Sequence, residues 1–217
     1  FRPKSMAYRF VWGCVCFAGA VELNPPVWPS TVRVFSPDDE DIQDVVYAAF
    51  AENGGNMDHG QFSKSRYAFL FKPGSYNVDV PIGYYTQVVG LGESPTEVVF
   101  EAGNKGPWCP EGTALTSIGS LNTFWRGAEN FHTKSDFDWF GNPGMLWAAS
   151  QAAPVRSVVV DNNMVLYMYR SGEYSADFAS GGYVGNSQVK GAMLSGSEQQ
   201  FFVRNSDLGE WSGAVWN

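Results

Sequence analysis

The 217-residue sequence predicts an all-β solenoid: short parallel strands coiled into a β-helix and closed at the start by one amphipathic helix. Three observations carry this. Twenty-four glycines, twelve prolines and 16% aromatic residues, with few helix-forming stretches, indicate many short strands broken by turns. Strands paired with an Asn or Ser turn recur through the second half at roughly 20 to 30 residues, one coil of a solenoid with loops of varying length. The one clear helical stripe lies near the start, where a cap belongs. A composition of 44% apolar and 17% charged residues is that of a folded globular chain.

In chain order, residues 6 to 20 read as a secretory signal. Arg9 precedes the apolar run Phe10 to Phe17, and Ala18-Gly19-Ala20 is the small-x-small pattern cut by signal peptidase. The run is shorter than the roughly 20 apolar residues that span a bilayer, so no stable membrane insertion is expected once it is removed. A buried N-terminal strand is the alternative. Residues 1 to 20 are thus leader and signal, and 21 to 217 the β-helix domain. Cys14 and Cys16 leave with the signal, and Cys109 alone provides no disulfide framework. Removal also takes Arg2, Lys4 and Arg9 but no acid, so the net charge falls from −8 to −11. That disfavours nucleic acid, anionic membranes and strongly acidic polysaccharides, and leaves neutral glycans as the easiest partners.

Asn24 to Ser30 is a proline-rich connection, and Val32 to Phe35 a short strand. Ser36 then reads as an N-cap, Pro37 as the first helical residue, and Asp38, Asp39 and Glu40 as first-turn acids. Ile42, Val45, Val46, Ala49 and Phe50 form one apolar stripe, and Asn53-Gly54-Gly55 stops the helix, predicted over 38 to 52. After a polar loop holding His59, strands follow at 67 to 71, 76 to 80, 86 to 89 and 97 to 100. In the second half, 124 to 131, 152 to 162, 182 to 189 and 201 to 209 each join a strand to an Asn or Ser corner, residues that tolerate left-handed backbone and can bond the next coil. The helix covers strand edges that a solenoid would otherwise expose. Val215-Trp216-Asn217 ends inside an apparent strand, so a C-terminally truncated chain is expected.

Leu70-Phe71-Lys72-Pro73-Gly74-Ser75-Tyr76, with Asp41 to Asp44 ahead of it, resembles the entry of the pectin-lyase-like β-helix superfamily, where a capping helix precedes Phe-x-Pro-Gly-x-Tyr. The run from Phe71 to Gly92 is similar to a group of secreted proteins related to family-55 glycoside hydrolases, often labelled coagulation factor 5/8 type domain or adenylyl cyclase proteins. The likeness continues at 124 to 130, 147 to 154, 180 to 182 and 199 to 206, and covers residues 32 to 217. Glu198 departs from it, standing where a third Gln is expected, and 104 to 117 matches nothing recognised. The resemblance implies a right-handed parallel β-helix and a link to glucan-cleaving enzymes.

Glycoside cleavage needs two carboxyl groups about 5 to 10 Å apart. The acids among aromatic and small residues are Glu129, Asp136, Asp138, Glu173, Asp177, Glu198, Asp207 and Glu210. Glu129 is the first catalytic candidate, because Trp125 and Arg126 beside it supply an apolar wall and a cation. Glu198 is the second, and Asp207 an alternative partner for Glu129. Trp125 and Trp211 can stack on pyranose rings, and Arg126, Gln151, Gln199, Gln200 and Arg204 can grip sugar hydroxyls. Each also has a structural use, as turn, salt-bridge or core residue. No Asp cluster suggests calcium, and His59 and His132 lack a partner at zinc-ligand spacing, so neither metal nor cofactor is expected. Gly90 to Pro95 is not a phosphate loop, since Pro95 blocks the helix such a loop opens, and no Gly-x-Ser-x-Gly elbow occurs. The expectation is a monomeric, secreted glycan-active protein, a hydrolase of neutral β-glucan acting through paired carboxylates. The rivals are a non-catalytic wall-binding or adhesion module and a structural spine.

Overall fold

The computed structural model describes residues 26–54, 60–109, 121–168, 176 and 178–213. The predicted signal, the His59 loop, Glu173, Asp177, Trp216 and the final apparent strand lie outside these residues. The elements are β1 (Val32–Phe35), α1 (Ile42–Asn53), β2 (Tyr67–Phe71), β3 (Gly74–Tyr76), β4 (Asp79–Pro81), β5 (Thr86–Gly90), β6 (Val98–Phe100) and β7 (Gly106–Trp108). They continue as β8 (Arg126–Thr133), β9 (Gly144–Leu146), β10 (Pro154–Val160), β11 (Asn163–Val165), β12 (Phe178–Gly185), β13 (Gln188–Val189), β14 (Ala192–Arg204) and β15 (Glu210–Gly213).

Every ladder between named strands is parallel, and the main path runs β1-β2-β5-β8-β10-β12-β14. Each strand pairs with its counterpart one coil later, as Ala68 with Gln87, Gln87 with Gly127, Ala128 with Val155, Val155 with Val184 and Val184 with Val203. This is the register of a parallel β-helix. The steps vary from 19 to 40 residues, wider than the sequence spacing suggested, because Gln87 to Gly127 takes in a long excursion through β6 and β7.

Left-handed corners define the coil. One column holds Tyr85, Trp125, Ala152, Gly181 and Gln200, with φ of 57°, 52°, 58°, 87° and 55°. A second holds Asn130, Ser157, Asn186 and Asn205, at 59°, 52°, 52° and 51°. Three Asn residues in the second column fit, since their short polar side chains tolerate this region and bond locally. Asn130 Nδ2 donates to Gly90 O at 2.9 Å and Gly92 O at 2.8 Å, and Asn205 Nδ2 to Asn186 Oδ1 at 2.8 Å. Four residues separate the two corners, and side chains alternate in and out between them.

The inside is filled by stacked apolar side chains. Phe35 lies 5.1 Å from Phe71, Phe71 5.0 Å from Phe100, and Phe100 5.3 Å from Phe131, with edge-on rings in the last two pairs. The Phe-Lys-Pro-Gly-Ser-Tyr segment serves this core. Phe71 and Tyr76 point inward around Gly74, whose φ of 144° disfavours a side chain, and Tyr76 Oη closes the turn by donating to Lys72 O at 2.7 Å.

The cap forms, but shorter and later than predicted. The helix begins at Ile42 with Asp41 as N-cap, not at Ser36. Ser36 and Pro37 instead open a turn, in which Asp39 N donates to Ser36 O at 3.0 Å and Ser36 N to Asp39 Oδ2 at 2.7 Å. The apolar stripe holds, with Ile42, Val46 and Ala49 buried. Polar side chains on the same helix bond the coil beneath: Gln43 pairs with Asp79 N and O, and Asn53 Nδ2 donates to Ser65 O and Tyr84 O. These amides satisfy main-chain groups that a first coil leaves open. Gly54 lies against Gly83 so closely that a Cβ there would come within 2.5 Å of the Gly83 Cα.

Candidate functional site: an outward sheet face

Between the corner columns each coil presents two outward positions, and stacking turns them into two rows. One row runs Ala68, Gln87, Gly127, Pro154, Tyr183 and Phe202; the other Leu70, Val89, Glu129, Arg156, Gly185 and Arg204. Arg66, Tyr85 and Trp125 stand along the first corner. The Arg66 guanidinium lies 3.6 Å from the Tyr85 ring centroid, and Tyr85 stacks on Trp125 at 5.3 Å and 6°. At the other end Tyr183 stacks on Phe202 at 5.9 Å and 17°, with Arg156 at 5.4 Å from the Tyr183 ring. Two hollows open on this face. One of about 540 Å³ lies along Arg66, Ala68, Tyr85, Gln87, Trp125 and Pro154. The other, of about 530 Å³, lies at Tyr183, Asn186, Arg204 and Asn205. A dimple between them touches Glu129 and Arg156.

The structure brings Trp125, Glu129, Gln200 and Arg204 to this face or its corner, and separates the other candidates. Gln151 and Gln199 stand just beyond the first corner, Gln151 Nε2 donating to Ser180 Oγ at 3.4 Å. Asp207 is exposed on the next face, past the second corner, 3.5 Å from Gln188 Nε2. Trp211 belongs to the last described coil, in register with the inward Met193, its ring 6.2 Å from Phe201. Asp136 and Asp138 hold turns, accepting from Gly103 N at 2.8 Å and Gly141 N at 2.5 Å.

Two candidates expected on the surface point into the coil instead. Arg126 occupies an inward position and is 2% exposed, so its side chain serves the core although the residue borders the larger hollow. Its Nη1 donates to Ile82 O at 2.6 Å and reaches Cys109 Sγ at 3.6 Å, and the guanidinium lies 4.7 Å from the Tyr84 ring. Burial pushes the Cys109 thiol up, with Arg126 opposing. Glu198 is likewise inside, 1% exposed, and burial raises its carboxyl to about 8 although the Gln199 and Gly181 N–H groups favour the charged form. The Glu129–Glu198 and Glu129–Asp207 pairs do not assemble. From Glu129 the ladder passes Arg156 and Gly185 before reaching the coil of Arg204, three steps of about 4.8 Å or ~14 Å, beyond the separation that glycoside cleavage allows.

The comparisons bear on what such a face serves. The chain is 36% identical over 205 residues to an exo-beta-1,3-glucanase of Streptomyces sp. (strain SirexAA-E / ActE), an alignment that covers 92% of this chain and 29% of that protein. Its fold is similar to the solved structure of sacteLam55A from Streptomyces sp. SirexAA-E, with a TM-score of 0.72 and 33% identity over 89% of this chain and 32% of that one. A variant of sacteLam55A in complex with glucose matches with a TM-score of 0.70 and 32% identity over the same shares. The chain therefore spans less than a third of the length of these relatives. No family model matches it. The relatives bear out the glucanase side of the resemblance, and neither carries the coagulation-factor or adenylyl cyclase label.

Sequence reasoning missed Arg66, Tyr85, Gln87, Arg156, Tyr183 and Phe202. The signal was present in four segments ending in Asn or Ser: Gly127-Ala128-Glu129-Asn130, Pro154-Val155-Arg156-Ser157, Tyr183-Val184-Gly185-Asn186 and Phe202-Val203-Arg204-Asn205. Aligned on their last residue, the first and third places point out and the second points in. Chemically the face offers flat aromatic surfaces, amides and guanidinium donors, and among the described residues Glu129 as its carboxylate.

Proposed function

We propose that this chain is a substrate-facing part of a secreted β-glucan hydrolase, directed to neutral β-1,3-linked glucan and needing no metal or cofactor. The observation that carries the reading is the likeness, in sequence and in fold over nine-tenths of the chain, to an exo-beta-1,3-glucanase. The outward face supports it: stacked rings present apolar faces to pyranoses, Gln87 and the arginines supply donors, and Glu129 stands on the surface beside Arg156. In this reading the coil is right-handed, as nearly all parallel crossovers are, the protein is a monomer, and residues 1 to 20 direct secretion. An N-terminal sequence beginning at Val21 in the secreted product tests that last point.

A second reading, a glycan-binding module without catalysis, is favoured by one observation: the described face presents Glu129 without a second carboxylate in reach, whereas cleavage takes two. Incubation of the protein with a panel of glucans, comparing wild type with Glu129→Gln, separates them. Sugar release from β-1,3-glucan that falls by two or more orders of magnitude in Glu129→Gln places Glu129 in the mechanism. Undiminished release removes it, and retention of glucan without release establishes the binding module.

A further inference from the structure

We propose that the hollow beside the first corner is a glycan-binding subsite that holds an uncharged β-linked glucan chain along the solenoid axis and does no chemistry. The proposal rests on the β-glucan reading above and adds a site to it.

Its wall is the stack of Arg66, Tyr85 and Trp125, and this wall is built before any ligand arrives. Tyr85 and Trp125 sit at left-handed corners with their rings stacked, Tyr85 Oη donates to Gln61 O at 2.8 Å, and Arg66 Nη1 donates to Ser63 O and Ser65 O, each at 2.9 Å. Side chains fixed in this way have little rotamer freedom left to lose on binding. Trp125 nevertheless remains 45% exposed.

The floor is kept low. Ala68, Gly127 and Pro154 follow one another in the outward row, interrupted by the exposed amide of Gln87. Gly127 is the informative residue. A Cβ built on it would meet only Gln87 Cγ at 3.7 Å and Pro154 O at 3.8 Å, which is ordinary contact, and its φ is not among the positive ones. Neither backbone nor packing requires glycine here, and glycine weakens a strand. The missing side chain leaves open the space beside Trp125. From Arg66 to Ala152 the corner climbs three coil steps, about 14 Å, enough for several sugar rings.

The ligand class follows from the lining. No carboxylate lines the hollow among the described residues, and the Arg66 guanidinium is held by two carbonyls and a ring. The chain carries a net charge of −8, which disfavours polyanions. A polyhydroxylated neutral chain with apolar ring faces is what an aromatic wall and an amide recognise.

Isothermal titration of the full protein with a β-1,3-gluco-oligosaccharide, and separately with an oligogalacturonate, tests this. Wild type binds the neutral oligosaccharide; Trp125→Ala weakens it roughly five- to tenfold, and Gly127→Phe, which fills the floor, weakens it at least as much while unfolding at the same or a higher temperature. If Trp125→Ala does not fold, Gly127→Phe decides alone. Folded variants that bind like wild type overturn the subsite while leaving the β-glucan reading in place. Binding of the oligogalacturonate alone overturns the ligand class. A wild type that neither binds nor cleaves β-glucan brings down the parent reading, and the subsite with it.

Discussion

Replacing Glu198 by Gln makes the protein more stable at neutral pH, and the gain grows as pH rises. Glu198 is 1% exposed, and burial raises its carboxyl from an ordinary 4.5 to about 8. The folded state therefore prefers the protonated acid, while the unfolded chain ionises at its usual pKa. Between those two values the unfolded state releases a proton that the folded state keeps, so stability falls with rising pH by about 1.36 kcal/mol per unit. The loss is absent below about pH 4.5, reaches about 3 kcal/mol at pH 7 and levels off near 5 kcal/mol above pH 8. Gln keeps the shape and an oxygen to accept from Gln199 N, which lies 3.2 Å from Glu198 Oε1, but has no charge to bury. Urea titrations of wild type and Glu198→Gln at pH 4.5, 6 and 7.5 measure the difference directly, and other titrating groups cancel between the two proteins. A difference that stays flat across this range would refute the buried, proton-holding Glu198.

The left-handed corners and the aromatic core give two further tests. Asn130→Ala removes two hydrogen bonds to the preceding coil and places alanine at a φ of 59°; we expect a loss of about 2 to 4 kcal/mol in chemical denaturation, with Asn130→Gly losing less because glycine keeps the conformation. Phe100→Ala opens a cavity between Phe71, Tyr76 and Phe131, and a loss of about 3 to 5 kcal/mol in the same assay is expected; a loss under 1 kcal/mol would mean that the ring column is not continuous.

Much of the architecture was readable because local chemistry and coil geometry agree. The stripe from Ile42 to Phe50 does face the first coil, and Asn130, Asn186 and Asn205 do sit at left-handed corners, whereas in the segment 152 to 162 the corner falls at Ser157 and not at Asn162. What was not readable was parity. In a coil of four residues between corners, a shift of one position exchanges inside for outside. Trp125 and Arg126 looked like equal neighbours of Glu129, yet Trp125 takes the corner and Arg126 the first inward place. Glu198 looked like the head of an amide-rich sugar grip, but with Gln200 at the corner, Gln199 points out and Glu198 in. The helix start was misplaced for another reason. Ser36-Pro37-Asp38-Asp39 suits a turn as well as an N-terminus, and here it forms the turn between β1 and α1.

The same parity restricts how this fold can cleave a glycosidic bond at Glu129. One or two coil steps in either direction cover the separation at which two carboxyl groups cooperate, about 5 to 10 Å. The outward places within that reach are Leu70, Val89, Arg156 and Gly185 in the same row, and Ala68, Gln87, Gly127, Pro154 and Tyr183 in the adjoining one. None is acidic. If Glu129 is one of a catalytic pair, its partner therefore comes from outside these two rows of described residues. If Glu129→Gln abolishes sugar release, a second carboxyl group outside these two rows completes the pair; its replacement by the corresponding amide should then reproduce the loss while leaving glucan binding intact.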